Sequence, residues 1–213
     1  MYALPTSGER SHEPLINGSR VTTHMRLAAI LRDVATELRT DRLLLRVPCP
    51  GDGDLVHAAV VDTLPALRAW PASLPWAMHV PSVTASETFC RESASAFLLR
   101  RGLVYLVFDA QQSLVGTCSL HSIDWALPKF ELGFWCRGTR QRQGLATEAT
   151  SALVRYAFDD LAAKRVEALT DEANIGSRRV CEAIGMQLEG VMRSERITPD
   201  GDVRNTCVYA IVK

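Results

Sequence analysis

Gly144 opens a helical pattern directly after a short basic turn, Arg137 to Gln143, and the residues around it have chemistry to offer. The first amides of a helix have no intrahelical acceptor and stand at the positive end of its dipole. Gly144 lacks a Cβ, Ala146 carries only a methyl group, and Arg140 and Arg142 flank the turn. A phosphate can therefore reach bare main-chain N–H groups with cations beside it, and a phosphorylated cofactor is the ligand class this predicts. The spacing is neither the Gly-x-x-x-x-Gly-Lys-Ser/Thr of a nucleoside-triphosphate loop nor the Gly-x-Gly-x-x-Gly of a dinucleotide fold. Both of those readings fall.

Other chemistry is thinly supported. The five histidines, at 12, 24, 57, 79 and 121, form no spaced ligand set, so no metal site is expected, and His121 at a strand end reads as structural. The six cysteines, at 49, 90, 118, 136, 181 and 207, are scattered without close pairs and no signal peptide is seen. Reduced thiols in a cytoplasmic protein are the expectation. No run approaches the roughly 20 apolar residues that cross a bilayer. Twenty-four basic residues balance twenty-four acidic ones, so no global field draws nucleic acid or an anionic membrane, and neither is expected as a partner. A chain of 213 residues, 47% hydrophobic and 23% charged, fits one globular domain with an extension.

The basic turn must be held by what surrounds it. Before it runs an apolar strand, Phe130 to Cys136; after it, Leu145, Ala149, Ala152, Leu153 and Tyr156 share one helix face. Residues 1–24 read as a flexible leader, and residues 25–38 as an amphipathic helix with Leu27, Ile30, Leu31, Val34 and Leu38 on its apolar side. Leu43 to Val47 is a strand. Asp52 is placed to cap a helix to about Leu64, and Ser82 or Thr84 one to about Arg100. Between those helices an irregular connection carries Trp70 and Trp76, serving either as core anchors or as ligand contacts. Leu103 to Asp109, Leu114 to His121 and the strand from Phe130 make an antiparallel meander. Arg165 to Thr170 follows a helix, so it is expected parallel to its predecessor. A helix from Ile175 to Ile184 and two strands around Pro199-Asp200-Gly201 complete a mixed α/β layer fold.

Gln141-Arg142-Gln143-Gly144-Leu145-Ala146 resembles the pyrophosphate loop, Gln/Arg-x-x-Gly-x-Gly/Ala, of the GNAT acetyltransferases. Glu131-Leu-Gly-Phe-Trp135 before it and Ala146-Thr-Glu-Ala149 after it are similar to the RimJ/RimL branch of that superfamily. So are Asn174-x-x-Ser177-Arg178, Glu182-Ala-Ile-Gly185-Met186 and Glu189-Gly190-Val-Met-Arg193 downstream, and Thr40-Asp-Arg42-Leu-Leu-Leu-Arg46 upstream. The resemblance spans about residues 38–213, and residues 39–213 are expected to be the acetyltransferase domain. It implies a six- or seven-stranded, mostly antiparallel sheet flanked by helices, its fourth and fifth strands splayed around the cofactor.

The implied activity is direct transfer of acetyl from acetyl-coenzyme A to an amine, most plausibly a protein N-terminal α-amino group. A small amine such as an antibiotic, polyamine or amino acid is the alternative acceptor, and a non-catalytic coenzyme A-binding module the alternative class. By resemblance the cofactor would be bound by Gln141, Arg142, Gln143, Gly144, Leu145, Ala146 and Thr147, and by Asn174 and Ser177. The backbone of Phe134, Trp135 and Cys136 would bond its pantetheine arm like an added strand, and Gly133 permits a bulge there. Glu131 is the expected base, the alternative being a strand carboxylate that orients a neighbour or pairs with an arginine. Ser177 is expected to polarise the thioester or protonate the thiolate, the alternative being a helix cap. Trp70, Trp76 and Glu131 would shape the acceptor side. Many GNAT enzymes place a tyrosine acid seven residues after the asparagine; here that residue is Cys181, which reads as a buried small hydrophobe. Glu195 is a weaker acidic candidate, Arg178 and Arg179 are expected solvated or at the cofactor's 3′-phosphate, and a homodimer is among the expected assemblies.

Overall fold

The computed structural model describes residues 29–213. Eight strands form one sheet: β1 (Glu37–Arg39), β2 (Leu43–Arg46), β3 (Leu103–Asp109), β4 (Leu114–Asp124), β5 (Lys129–Cys136), β6 (Arg165–Asp171), β7 (Gln187–Ile197) and β8 (Val203–Val212), in the order β1-β2-β3-β4-β5-β6-β8-β7. Four helices flank it: α1 (Gly53–Arg68), α2 (Val83–Leu98), α3 (Leu145–Asp159) and α4 (Ile175–Ala183). Every pairing is antiparallel except β5 with β6, the parallel pair that the intervening helix requires.

The sheet has one strand more than the sequence predicts, because Glu37–Arg39 pairs with β2 instead of ending a helix. Within the described part of residues 25–38, helix persists only through Ile30. Ala35 explains the break: its N–H donates to the Tyr156 hydroxyl and its carbonyl accepts from the Tyr105 hydroxyl, each at 2.7 Å. Both main-chain groups that a helix would use are thus taken by buried tyrosines. The leader, residues 1–24, lies outside the described residues.

One core lies between the sheet and α3 with α4, built on Leu120, Phe130, Leu132, Leu153 and Val166. The opposite face packs Leu106, Phe108 and Leu114 against Val56, Ala59 and Val60 of α1 and Cys90 of α2. Alternation along β5 assigns its residues accordingly: Phe130 and Leu132 go to the α3 side, Glu131, Gly133 and Trp135 to the α1 side.

Ser82 caps α2, accepting from the Ala85 N–H at 3.1 Å. Asp52 precedes α1 without capping it; its carboxylate instead accepts two hydrogen bonds from Arg46, each at 2.7 Å, and one from the Cys49 N–H. α1 continues a turn past Pro65, where the sequence suggests a stop.

Candidate active site

β5 and β6 are paired over three rungs only, from Lys129↔Arg165 to Glu131↔Glu167. Beyond them β5 stays on β4 as far as Cys136↔Gly116, while β6 follows β8 to Asp171↔Thr206. The strands therefore diverge after Glu131, and Leu132 to Cys136 present one main-chain edge to the gap. These are the strands expected to splay, numbered fifth and sixth because of β1. The end of β5 and the first turn of α3 enclose a slot of about 10 Å3, lined by Thr117, Phe134, Trp135, Cys136, Ala146 and Thr150 among others.

At the mouth of the gap the basic turn folds into a 3-10 turn, Gly138–Arg140, and enters α3 through Gly144 at φ +76°. Arg142 is also left-handed, at φ +59°. Among the described residues no protein acceptor meets the main-chain N–H of residues 142 to 147, and α3 has no side-chain cap. The rest of the turn is braced. Arg42 donates to the Gln143 carbonyl at 3.1 Å and pairs with Glu148 at 2.6 Å. The Gly138 N–H donates to Thr63 Oγ1 at 3.0 Å, and Arg137 pairs with Asp62. Burial opposes the charge of Glu148, but hydrogen bonds from Thr40 and Arg42 outweigh it and hold the carboxyl below its ordinary pKa.

This bracing changes the parts some residues play. Arg140 pairs with Asp109 at 2.9 Å, so it is not a free cation at the turn; Arg142, exposed and without an ion-pair partner among the described residues, is. The Gln141 amide donates to the Cys136 carbonyl and its N–H to Gly138, and the Gln143 side chain donates to Thr139. Gln141 thus shapes the turn, whereas Gln143 offers its main-chain N–H.

Glu131 stands on the last paired rung. Its Oε2 accepts from Ser122 Oγ at 2.9 Å and its Oε1 lies 3.8 Å from His121 Nε2. His121 is the cross-strand neighbour of Glu131 on the last regular rung, and Ser122 lies in the β-bulge of β4 between His121 and Asp124, at φ +48°. The bulge is on β4; Gly133 is in regular register with Ser119. A Cβ on Gly133 would come within 2.9 Å of Ser119 Oγ and 3.4 Å of the His121 ring, so this glycine makes room for both. Periodicity predicts β4 only to His121, and the bulge beyond it, with Ser122, is what the sequence reading misses.

The family profile described as "Acetyltransferase (GNAT) domain" matches residues 42–187. The chain belongs to the GNAT acetyltransferase family. A Bacillus subtilis (strain 168) relative named "Putative ribosomal N-acetyltransferase YdaF" is 27% identical over 175 residues, 81% of this chain and 92% of that protein. Another from the same organism, "Probable N-acetyltransferase YjcK", is 38% identical over 89 residues, 41% of this chain and 49% of its own. In fold, the chain matches RimL, the ribosomal L7/L12 α-N-protein acetyltransferase solved with coenzyme A. The TM-score is 0.73 at 21% identity, covering 81% of this chain and 95% of that one. The microcin C7 self-immunity acetyltransferase MccE, solved with acetyl-CoA and AMP, gives 0.75 at 21%, over 82% and 94%.

As a GNAT N-acetyltransferase the protein uses acetyl-CoA, and its residues fit that molecule. The uncapped amides of 142 to 147 suit a diphosphate, and the bare edge of β5 suits an extended amide-bearing arm. Across the gap, α4 begins at Asn174, whose Oδ1 accepts from the Ser177 N–H at 3.1 Å. Asn174 is thereby a cap, while the half-buried Ser177 hydroxyl has no hydrogen-bond partner among the described residues. Cys181 is fully buried and desolvation pushes its thiol up to about 12, in keeping with a small core residue. Arg178 is half-buried and held by the protein: it donates to the Tyr209 hydroxyl at 3.1 Å and to the Glu172 carbonyl at 3.0 Å. Arg179 is exposed. Glu195 accepts from Thr206 Oγ1 at 2.7 Å on the β7–β8 hairpin. Trp76 sits on Trp135, ring centroids 6.5 Å apart, which brings the α1–α2 connection onto the Glu131 face of β5. Trp70 is half-buried, and its main chain forms the turn before that connection. Among the described residues no helix is long and apolar enough to cross a membrane, and no group of His, Cys, Asp and Glu is placed to hold a metal.

Proposed function

We propose that this protein acetylates the α-amino group of a protein N-terminus, with Glu131 as base and Ser177 as proton donor. The observation that carries the reading is Glu131, a carboxylate fixed on the α1 side of the sheet on the last rung before β5 and β6 part. The acceptor class draws support from YdaF, whose name carries a ribosomal N-acetyltransferase activity, and which aligns over most of both chains.

When bound, acetyl-CoA supplies the activated acetyl carbon. The amides of 142 to 147 hold its diphosphate, with Arg142 alongside, and main-chain groups of Phe134 to Cys136 extend β5 by one strand's worth of hydrogen bonds. Glu131 takes a proton from the acceptor ammonium, directly or through one water, and so exposes the amine lone pair. Ser177 holds a hydroxyl proton on the far side of the gap for the departing sulfur. Trp76 and Trp135 form an apolar wall of the acceptor side.

An acetylation screen that sets N-terminal peptides against small amines, read by mass, tests the acceptor class. Acetyl found on peptides supports the proposal; acetyl found only on small amines replaces it. Glu131→Gln is expected to lower kcat by about 10²–10⁴-fold with acetyl-CoA affinity unchanged, the range that acid–base assistance supplies. Ser177→Ala is expected to lower it less. Unchanged turnover in both removes these roles.

A further inference from the structure

Beside Glu131 the β4–β5 ladder sets a histidine that the steps above leave without a task. His121 is opposite Glu131 in the β4–β5 ladder, and its Nδ1 lies 2.6 Å from the Glu131 main-chain oxygen. A carbonyl oxygen only accepts, so Nδ1 carries a proton and the neutral ring has its open lone pair on Nε2. That nitrogen faces Glu131 Oε1 at 3.8 Å. Two lone pairs attract across such a gap only with a proton between them. The other carboxylate oxygen, Oε2, is already engaged by Ser122, which leaves Oε1 to receive a proton from the acceptor.

The surroundings give that proton an exit. The Glu131 side chain is 20% exposed, whereas that of His121 is 46% exposed. The hydrogen bond from Nδ1 to the Glu131 main-chain oxygen keeps the ring in place. The other charges bearing on the pair are already committed. Glu167, across from Glu131 on β6, is clamped by Lys129 at 2.8 Å and Arg165 at 2.7 Å. Asp124, at the end of the bulge, accepts from the main-chain N–H groups of Ala126 and Leu127.

We propose that His121 is the proton outlet of Glu131, an inference that rests on Glu131 serving as the base. The acceptor ammonium gives one proton to Oε1 and keeps the electron pair as its nucleophilic lone pair. The carboxyl then passes that proton to Nε2, leaving carboxylate and imidazolium, after a side-chain rotation of about 1 Å closes the gap to hydrogen-bond length. The imidazolium releases the Nε2 proton to water, and both groups return to their starting state. The nitrogen loses two protons per turnover: the first enters solvent through Nε2, and the second, lost from the tetrahedral intermediate, replaces the proton that Ser177 gives to the departing sulfur, with no redox change. His121 acts through Glu131 and positions no part of the cofactor.

The test uses the full chain, acetyl-CoA and the amine of highest turnover in the screen, comparing His121→Ala, His121→Asn and Glu131→Gln. Both histidine variants are expected to lose about 10²-fold in kcat, the low end of acid–base assistance, with KM for acetyl-CoA unchanged. Added imidazole is expected to restore His121→Ala in proportion to its concentration and to leave Glu131→Gln inactive. Turnover of His121→Ala within twofold of the parent, or a slowed His121→Ala that imidazole does not restore, overturns the outlet while a dead Glu131→Gln still upholds the base. An active Glu131→Gln overturns both.

Discussion

Two helices begin at the edges of the same gap and are finished in opposite ways. α4 starts under Asn174, whose side chain closes the Ser177 amide, and the turn before it is tied by Asp171 to Ala173 and Arg204. α3 starts under Gly144, with no side-chain cap and a run of amides that no protein group meets among the described residues. With glycine at the N-cap the missing side-chain cap costs the helix only about a few tenths of a kcal/mol, and the braces from Arg42, Thr63 and Gln141 hold the turn in shape without closing it. The contrast teaches that an open helix start in a well-braced turn is a seat whose cap arrives with the ligand.

The comparison breaks most sharply at Gly144. Valine at φ +76° is strained, so Gly144→Val is expected to weaken acetyl-CoA binding by 100-fold or more, read by calorimetry. Next, if the ligand is the cap of α3, acetyl-CoA at about 100 times its Kd should stabilise the fold by about 2.7 kcal/mol in denaturant titrations. That gain should vanish in Gly144→Val and persist in Asn174→Ala. The closed helix sets the smaller scale: Asn174→Ala is expected to cost about 1 kcal/mol of stability while acetyl-CoA affinity stays within about twofold. Equal losses of affinity at Gly144 and Asn174 would erase the distinction.

The smallest effect is a pH dependence common to both starts. Glu148 in the first turn of α3 and Asp171 before α4 both feel burial that opposes their charge, yet hydrogen bonds from Thr40 and Arg42 in one case and Arg204 in the other hold both below ordinary pKa. The stability they contribute is present above the unfolded carboxylate range, about pH 4, and is lost as pH falls through their lower folded values. Urea melts from pH 7 to pH 3 should show this fall, and Arg204→Ala should make it shallower.

Much of this is legible in the sequence, and for physical reasons. Small residues at 144 and 146 after a basic turn describe an anion seat in covalent terms alone, and apolar periodicity places the flanking strand and helix. What escaped depends on distant partners. Arg140 looks like a phosphate ligand until Asp109, 31 positions earlier, is folded against it. Asp52 has the right place for a cap but finds Arg46 first. The helix expected through Leu38 ends early because Tyr105 and Tyr156 claim Ala35 from across the fold. Ser122 becomes a partner of Glu131 only through a bulge, and an extra residue in a strand has no periodic signature.

The short pairing of β5 with β6 also has a mechanical meaning. With three rungs joining them, five strands make one plate and three make the other, so the sheet carries a tear that runs inward from one rim. An extended molecule lying along the edge of β5 mends that tear. A ligand seated there as proposed would be a temporary ninth strand, and the stiffness of the whole sheet would rise and fall with each turnover.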